Sequence, residues 1–382
     1  MDRSPERGGE EEGRRPWWGL PLPRWAGWLV LAALFLLPAL QVARRYERVT
    51  GLTGVLHFGR AFVPRTIGAV RGQPLRVDSE FGYDGQFYAQ LACDPGLVDP
   101  DLARALDRPR YRARRILVPL LCWLAGAGAP GRILQACALV NPAFLALLLL
   151  LLHRRIAPHT LGQWACLAAA AWSTGVLVSI ERALVDLPAA VLLLAAVGAA
   201  ALPGWLLLAG AVLARESAWL GLLPLLGRRP LWGIALPLGL FAGWSLHVAA
   251  ALPAAGPGFG GNLGPPLVAH LERLQAVLAL RPFTVHTFFE FLAPLSLLAQ
   301  AAYFALYRNH RDPWWRLGVP FALLYLCLGE AVMAEQMAFC RAVLPLTLAF
   351  NLLLARRRDR AFLPWFVAGN LGLAWAAGCM LF

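Results

Sequence analysis

Apolar runs alternate with short arginine-bearing breaks along nearly the whole chain, and one long polar segment, residues 43–115, interrupts them. A helix needs about 20 apolar residues to cross a bilayer. Runs of that order occupy 25–42, 133–152, 161–180, 187–202, 231–252, 284–307, 317–334, 337–354 and 362–382. Another, 205–226, is interrupted by Arg215-Glu216, and 116–128 is short enough to read as a half-helix or re-entrant piece. The pattern predicts an all-α fold, a polytopic membrane helix bundle with about nine to eleven spans, some of them half-helices.

Four parts follow: a tail at 1–24, a first transmembrane helix at 25–42, the polar loop at 43–115 and a multi-span bundle at 116–382. Trp17, Trp18 and Trp25 mark the interface before the first span. Within the loop, 51–70 is apolar but broken by Arg60, Pro64 and Arg65, which predicts an interfacial amphipathic piece. A short helix is predicted over 86–93 and a turn at Pro203-Gly204. A Gly/Pro-rich loop runs to Pro266, followed by an amphipathic piece ending at Arg281.

Composition narrows the class. The chain is 59% hydrophobic with 15% charged residues, too few charges to cover a soluble surface. The net charge is +13, and all 35 basic residues are Arg. Absence of Lys, with abundant Ala, Leu, Gly and Pro, fits a GC-rich bacterial genome. The arginines sit at the ends of apolar runs, which reads as membrane topology and not as nucleic-acid binding. The seven cysteines are scattered without a C-x-x-C and read as packing residues. No small-residue cleavage site follows the first run, which predicts a retained signal anchor.

Topology can be drawn from the arginines if 116–128 does not cross and 205–226 dips in and out. Arg154, Arg155, Arg228, Arg229, Arg308, Arg311, Arg316 and Arg356–Arg360 then share the cytoplasmic side with the N-terminus. Glu181, Arg182, Asp186, Arg215 and Glu216 share the outer side with the polar loop. Arg44, Arg45 and Arg48, which follow the first span on the far side, run against the rule.

The loop holds the candidate chemistry. Asp78, Glu80, Asp84 and Asp94 fall within 17 positions, interleaved with Tyr83, Phe87 and Tyr88. Asp84 is the leading candidate for a general base that takes a proton from an attacking hydroxyl. The other reading is an N-cap of the helix at 86–93, which would explain one carboxylate and not four. Gly82 and Gly85 would let the backbone approach a substrate. Gln86, Phe87 and Tyr88 would meet a sugar ring or a lipid. Asp78 and Glu80 are rival bases, or a weak candidate pair for a divalent cation through oxygen, or a solvated loop face. Asp94 reads as the end of the short helix. No cofactor is otherwise indicated.

Arg110, Arg112, Arg114 and Arg115 surround Tyr111. Arg112 and Arg115 are candidates to clamp a phosphate, a bidentate geometry that guanidinium suits; binding to anionic headgroups is the alternative. Glu181, Arg182, Asp186, Arg215, Glu216, Glu330, Glu335 and Arg341 lie within or beside apolar runs. Charges there pair with one another or face a cavity. Arg215 and Arg341 are the ones assigned to a substrate phosphate or hydroxyl, and Tyr83, Tyr111, Glu181, Arg182, Asp186 and Glu216 complete the expected substrate-binding set with Gln86, Tyr88, Arg112 and Arg115. His286 and Glu290, four apart, read as structural. No nucleotide-binding or hydrolase motif is present.

The run Tyr83-Asp84-Gly85-Gln86-Phe87-Tyr88, then Asp94-Pro95, then 106–119 with Asp107-Arg108-Pro109-Arg110-Tyr111-Arg112, is similar to a bacterial branch of the GT-C superfamily. These are integral membrane glycosyltransferases, and the branch is linked to cell-surface glycopolymer formation. Ala214-Arg215-Glu216-Ser217 resembles that branch too. The resemblance implies a bacterial inner-membrane protein with a polyprenyl-phosphate-linked sugar donor. It also implies inverting transfer to a glycan or lipid acceptor, a periplasmic active site and a first-loop carboxylate as base. Asp84 lies farther from the first span than that base usually does, which keeps Asp78 and Glu80 in contention. From another class, a transporter or flippase for a lipid-linked or polar solute would line a path with the same charges. No inverted repeat is evident for it. A scaffold of a polysaccharide assembly complex is a third reading.

Overall fold

A computed structural model describes residues 16–226, 229–254, 261–280, 284–334 and 337–373. Expectations for residues 1–15 of the tail, Arg228, Arg281, Glu335 and the final residues 374–382 fall outside it, as does the side chain of His286.

The first apolar run is α1 (Arg24–Arg44), which buries Gly27, Leu34, Pro38 and Val42 on one face. That spacing is one stripe of a 3.6-residue repeat. Before it, Trp18 stacks on Phe362 and the Leu22 amide donates to the His159 carbonyl at 3.0 Å. The polar segment then folds as an irregular cap. It contains 3-10 turns at Thr53–Leu56 and Val63–Arg65, α2 (Gly68–Arg71), α3 (Asp84–Cys93), α4 (Leu102–Ala105) and α5 (Pro109–Ala113). Two short parallel strands, β1 (Phe58–Gly59) and β2 (Val77–Ser79), tie the cap together. The amphipathic interfacial piece expected over 51–70 is not formed. Val55, Leu56, Phe58, Ile67 and Val70 are fully buried in the protein core, so that stretch packs inward.

The 116–128 run is α6 (Leu117–Ala125), nine residues long and so about 13 Å. Both of its flanks lie by the cap: Arg115 donates to the Tyr88 hydroxyl, and Gly131 packs against Gln73. α7 (Pro130–Ile156) runs the length of the bundle. The 161–180 run, expected as one helix, is two: α8 (Leu161–Ala171) and α9 (Thr174–Glu181), bent by 40°. At the bend Ser173 is extended, and Trp172 turns to donate its indole N–H to the Leu34 carbonyl.

α10 (Asp186–Gly198) and α11 (Ala201–Ala214) follow. The turn between them lies at Ala199-Ala200, not at Pro203-Gly204. Pro203 sits in the first turn of α11, where its missing N–H has no helical partner to lose. Arg215 is extended (φ −159°, ψ 127°), and a 3-10 stretch, Glu216–Leu222, returns the chain, so 205–226 is broken where the charges fall. A 3-10 turn leads into α12 (Ala235–Ala251). Next come α13 (Val268–Ala279), α14 (Val285–Leu306), α15 (Pro313–Leu326), α16 (Glu330–Met333), α17 (Ala338–Ala342), α18 (Leu344–Leu354) and α19 (Phe362–Gly369). The runs 317–334 and 337–354 are therefore each subdivided.

Among the described residues three helical stretches are long and apolar enough to cross a membrane: Arg24–Arg44, Pro130–Ile156 and Leu231–Ala251. The bent pair α8–α9 makes a fourth if taken as one span, and several shorter apolar helices accompany them. The contacts define two ends. At one, Arg229 donates to the Ala196 carbonyl, Arg316 to the Leu226 carbonyl and Arg356 pairs with Asp312. At the other, beside the cap, Arg45 pairs with Glu181, Arg110 donates to the Leu252 carbonyl and Arg341 meets Asp84.

Candidate functional site

The cap is built around α3. Gly82, at φ +68°, turns the chain into the helix, and a Cβ there would overlap the His57 carbonyl and the Gly59 amide. The Tyr83 amide donates to the His57 carbonyl at 2.9 Å. Gln86 accepts from the Gly59 amide at 3.0 Å and donates to the Phe81 carbonyl at 2.9 Å. One turn on, Gln90 accepts from the Ile67 amide at 3.0 Å and donates to the Ala105 carbonyl at 3.2 Å. Two buried glutamines thus fasten one face of α3 to the loop. The close approaches of Gly82 and Gly85 are to the protein itself: a Cβ at Gly85 would lie 2.6 Å from the Arg182 carbonyl oxygen.

Asp84 opens α3 but does not cap it; no side-chain cap bond is made. Its carboxylate is held from both sides. Oδ1 lies 2.7 Å from Arg112 Nη2, and Oδ2 lies 3.1 Å from Arg341 Nη1. Arg112 is also fixed by two bonds to Asp107, at 2.9 and 2.8 Å. Arg341, from α17, reaches Asp186 at 3.4 Å, and Asp186 also pairs with Arg215. Arg215 arrives there because α11 ends beside it. Arg115 donates to Glu216 at 3.0 Å, to the Tyr88 hydroxyl at 3.0 Å and to the Tyr111 hydroxyl. Its guanidinium lies 4.1 Å from the Tyr111 ring centroid. Burial alone would raise the Asp84 carboxyl, but the guanidiniums of Arg112 and Arg341 outweigh it and hold the group well below the usual carboxylate range.

These residues form one wall of a cavity of about 1110 Å³, counting the space open at its mouth. Arg108, Arg112, Arg115, Arg215 and Arg341 face it beside Asp84, Asp107 and Tyr111. Leu263, Leu324, Leu328 and Val332 form its apolar wall, with Ser217 and Asn262 also lining the space. That wall is held by backbone bonds between the 261–267 loop and 326–331, including Gly264 to the Cys327 carbonyl at 3.0 Å. A cationic wall against an apolar one accommodates an anion attached to a hydrocarbon.

Of the expected substrate-binding residues, Tyr111, Arg112, Arg115, Arg215 and Arg341 line this cavity. Seven others do not. Asp186 and Glu216 stand behind it as partners of the arginines, and Tyr88 as a partner of Arg115. Gln86 is committed to the loop backbone. Tyr83 lies under Arg182, with 4.2 Å between guanidinium and ring centroid. Glu181 pairs with Arg45 at 3.0 Å, which gives Arg45 a local reason to sit on the far side of α1.

The rival bases are elsewhere. Asp78 and Glu80 are exposed, and Asp78 is bound by Arg76 at 2.7 Å. No group of three or more His, Cys, Asp or Glu side chains that would hold a metal occurs among the described residues, so the Asp78/Glu80 pair has no third ligand beside it. Asp94 accepts from the Val98 and Asp99 amides, as the end of a helix. Glu290 pairs with Arg273 at 3.2 Å, and Glu330 lies on an adjacent depression.

Asp107, Arg108 and Ser217 stood in the motifs that carry the resemblance but were given no role, and Asn262 and the apolar wall were not singled out. Asp107 carried a signal: an acid at the head of the arginine run, before the proline that starts α5. No family model, curated protein or solved structure matches the chain.

Proposed function

We propose that the chain is a membrane glycosyltransferase. It moves a sugar from a polyprenyl-phosphate-linked donor to a cell-envelope glycan or lipid acceptor, with Asp84 as general base. The observation that carries this is the placement of Asp84 between Arg112 and Arg341 on the cationic wall of a cavity whose other wall is apolar. The arginines suit the donor phosphate and the apolar side suits its isoprenoid chain. The acceptor oxygen attacks the anomeric carbon as the bond to the phosphate oxygen breaks. The electron pair leaves with the prenyl phosphate, which the guanidiniums neutralise, and the acceptor proton passes to Asp84. Both Asp84 oxygens are engaged by guanidiniums, which makes the carboxylate a weak base. A phosphate that draws on Arg112 and Arg341 restores its proton affinity where it is needed.

A bilayer accounts for the bundle surface. α1 leaves Trp25, Trp28 and Leu29 uncovered, and α12 buries only Pro237 and Val248. Each large apolar side chain left in water forgoes about 1.5–3 kcal/mol. The end bearing Arg229, Arg316 and Arg356 is assigned to the cytoplasm of a bacterial inner membrane, and the cap with the cavity to the periplasm.

The test is Asp84→Asn in purified protein, assayed for sugar transfer from a polyprenyl-phosphate donor. Transfer should fall by at least 100-fold, the usual worth of a general base, while the protein stays folded. Unchanged transfer would remove Asp84 from the mechanism.

A further inference from the structure

We propose that Arg108 captures the donor headgroup at the cavity mouth, and that the site is charge-matched to a singly charged phosphodiester. The inference rests on the glycosyltransferase reading above. It comes from how the lining arginines are partnered. Arg112 is shared by Asp84 and Asp107, Arg341 by Asp84 and Asp186, Arg215 is held by Asp186, and Arg115 by Glu216. Arg108 also lines the cavity and is exposed, and no carboxylate pairs with its guanidinium among the described residues.

Its backbone is nonetheless fixed. The Arg108 amide donates to Asp107 Oδ1 at 2.7 Å, and Pro109 begins α5 directly after it. The side chain is therefore a free cation on an anchored stem. Among the described residues five guanidiniums meet four carboxylates (Asp84, Asp107, Asp186 and Glu216), leaving one positive charge. A charge without a partner is costly to bury and stays where water reaches it, as Arg108 does. A phosphodiester brings one negative charge and two non-bridging oxygens, which neutralises the site; a diphosphate overshoots. The partnered arginines are held by their acids, so Arg108 is the one that can close on an incoming anion without breaking an existing pair.

The test uses the full chain in nanodiscs of zwitterionic lipid, with binding measured for a short-chain isoprenyl sugar phosphodiester, an isoprenyl diphosphate and inorganic phosphate. Wild type should bind the phosphodiester best. Arg108→Gln should weaken that binding roughly tenfold, the scale of one charge-assisted contact, and Arg108→Lys should recover part of it. The melting temperature should not change, because no ion pair is lost. Equal binding by Arg108→Gln and wild type overturns the role of Arg108. Preference for the diphosphate overturns the charge match, and equal affinity for inorganic phosphate assigns the site to a free anion. If wild type binds none of the three, both this inference and the donor class fail. Because no turnover is read, an inactive base leaves the result interpretable.

Discussion

Asp186→Asn is expected to destabilise the protein more than Asp84→Asn, although Asp84 stands at the centre of the site. The Asp186 side chain is 1% exposed, and it is the carboxylate partner of Arg215 as well as lying 3.4 Å from Arg341. Among the described residues Arg215 pairs with no other acid. Asparagine keeps the shape but leaves a largely buried guanidinium without its counter-charge. Removing one partner of a buried pair costs about 3–5 kcal/mol. Arg341 retains Asp84, and Arg215 keeps some contact with solvent, so about 2–4 kcal/mol is expected. Asp84 differs because both its partners hold a second carboxylate: Arg112 keeps its two bonds to Asp107, and Arg341 keeps Asp186. Its replacement also removes a charge that is costly to bury, so the net loss should be about 1 kcal/mol. Thermal and SDS unfolding in detergent, followed by tryptophan fluorescence, would rank the two. An Asp84→Asn protein that unfolds as easily as Asp186→Asn would refute the idea that the arginines are doubly held.

Three further outcomes are expected. Gly82→Ala should cost about 2 kcal/mol or more, adding left-handed strain to the overlap with His57 and Gly59, and should abolish transfer by tilting α3; an unfolding curve matching wild type would contradict this. Burial and the Arg45 guanidinium hold the His57 ring below its ordinary value, against the opposing pull of Glu181. The neutral ring therefore favours the fold above about pH 6.5, and that contribution fades as pH falls below it. His57→Gln should flatten the decline in unfolding temperature on the acid side, and an unchanged slope counts against the assignment. Burial pushes the Cys93 thiol up to about 12, so maleimide at pH 8 should spare Cys93 in folded protein and label it after SDS, as read by peptide mass mapping.

Much of the architecture was legible along the chain. α1 and α7 follow from uninterrupted apolar runs, since burying or lipid-solvating such runs leaves the helix as the one way to satisfy the backbone. The break at Arg215-Glu216 and the shortness of 116–128 were equally readable, because charges and length limit a span directly. The stretch 51–70 was misread. Its alternation of apolar residues with Arg60, Pro64 and Arg65 looks the same whether the apolar side faces lipid or protein. Only α3 and α7 packing against it decide that. The Pro203-Gly204 turn failed for a related reason: a proline ends one helix or starts the next, and local sequence does not choose.

The cavity shows the same division. Sequence composition determined that Asp84, Arg112, Arg215 and Arg341 were unusual, because ionised groups beside apolar runs need partners wherever they end up. Which partner each takes was decided by tertiary structure. Arg341 is 257 positions from Asp84, and Asp186 is 155 from Arg341. Contacts at such separations depend on helix lengths, the 40° bend between α8 and α9 and the turn at Arg215. The sequence likewise supplied four acids within 17 positions of one loop, but only the fold turned Asp84 toward the arginines and left Asp78 and Glu80 in solvent. Charge type is written residue by residue; charge pairing is a property of the closed bundle.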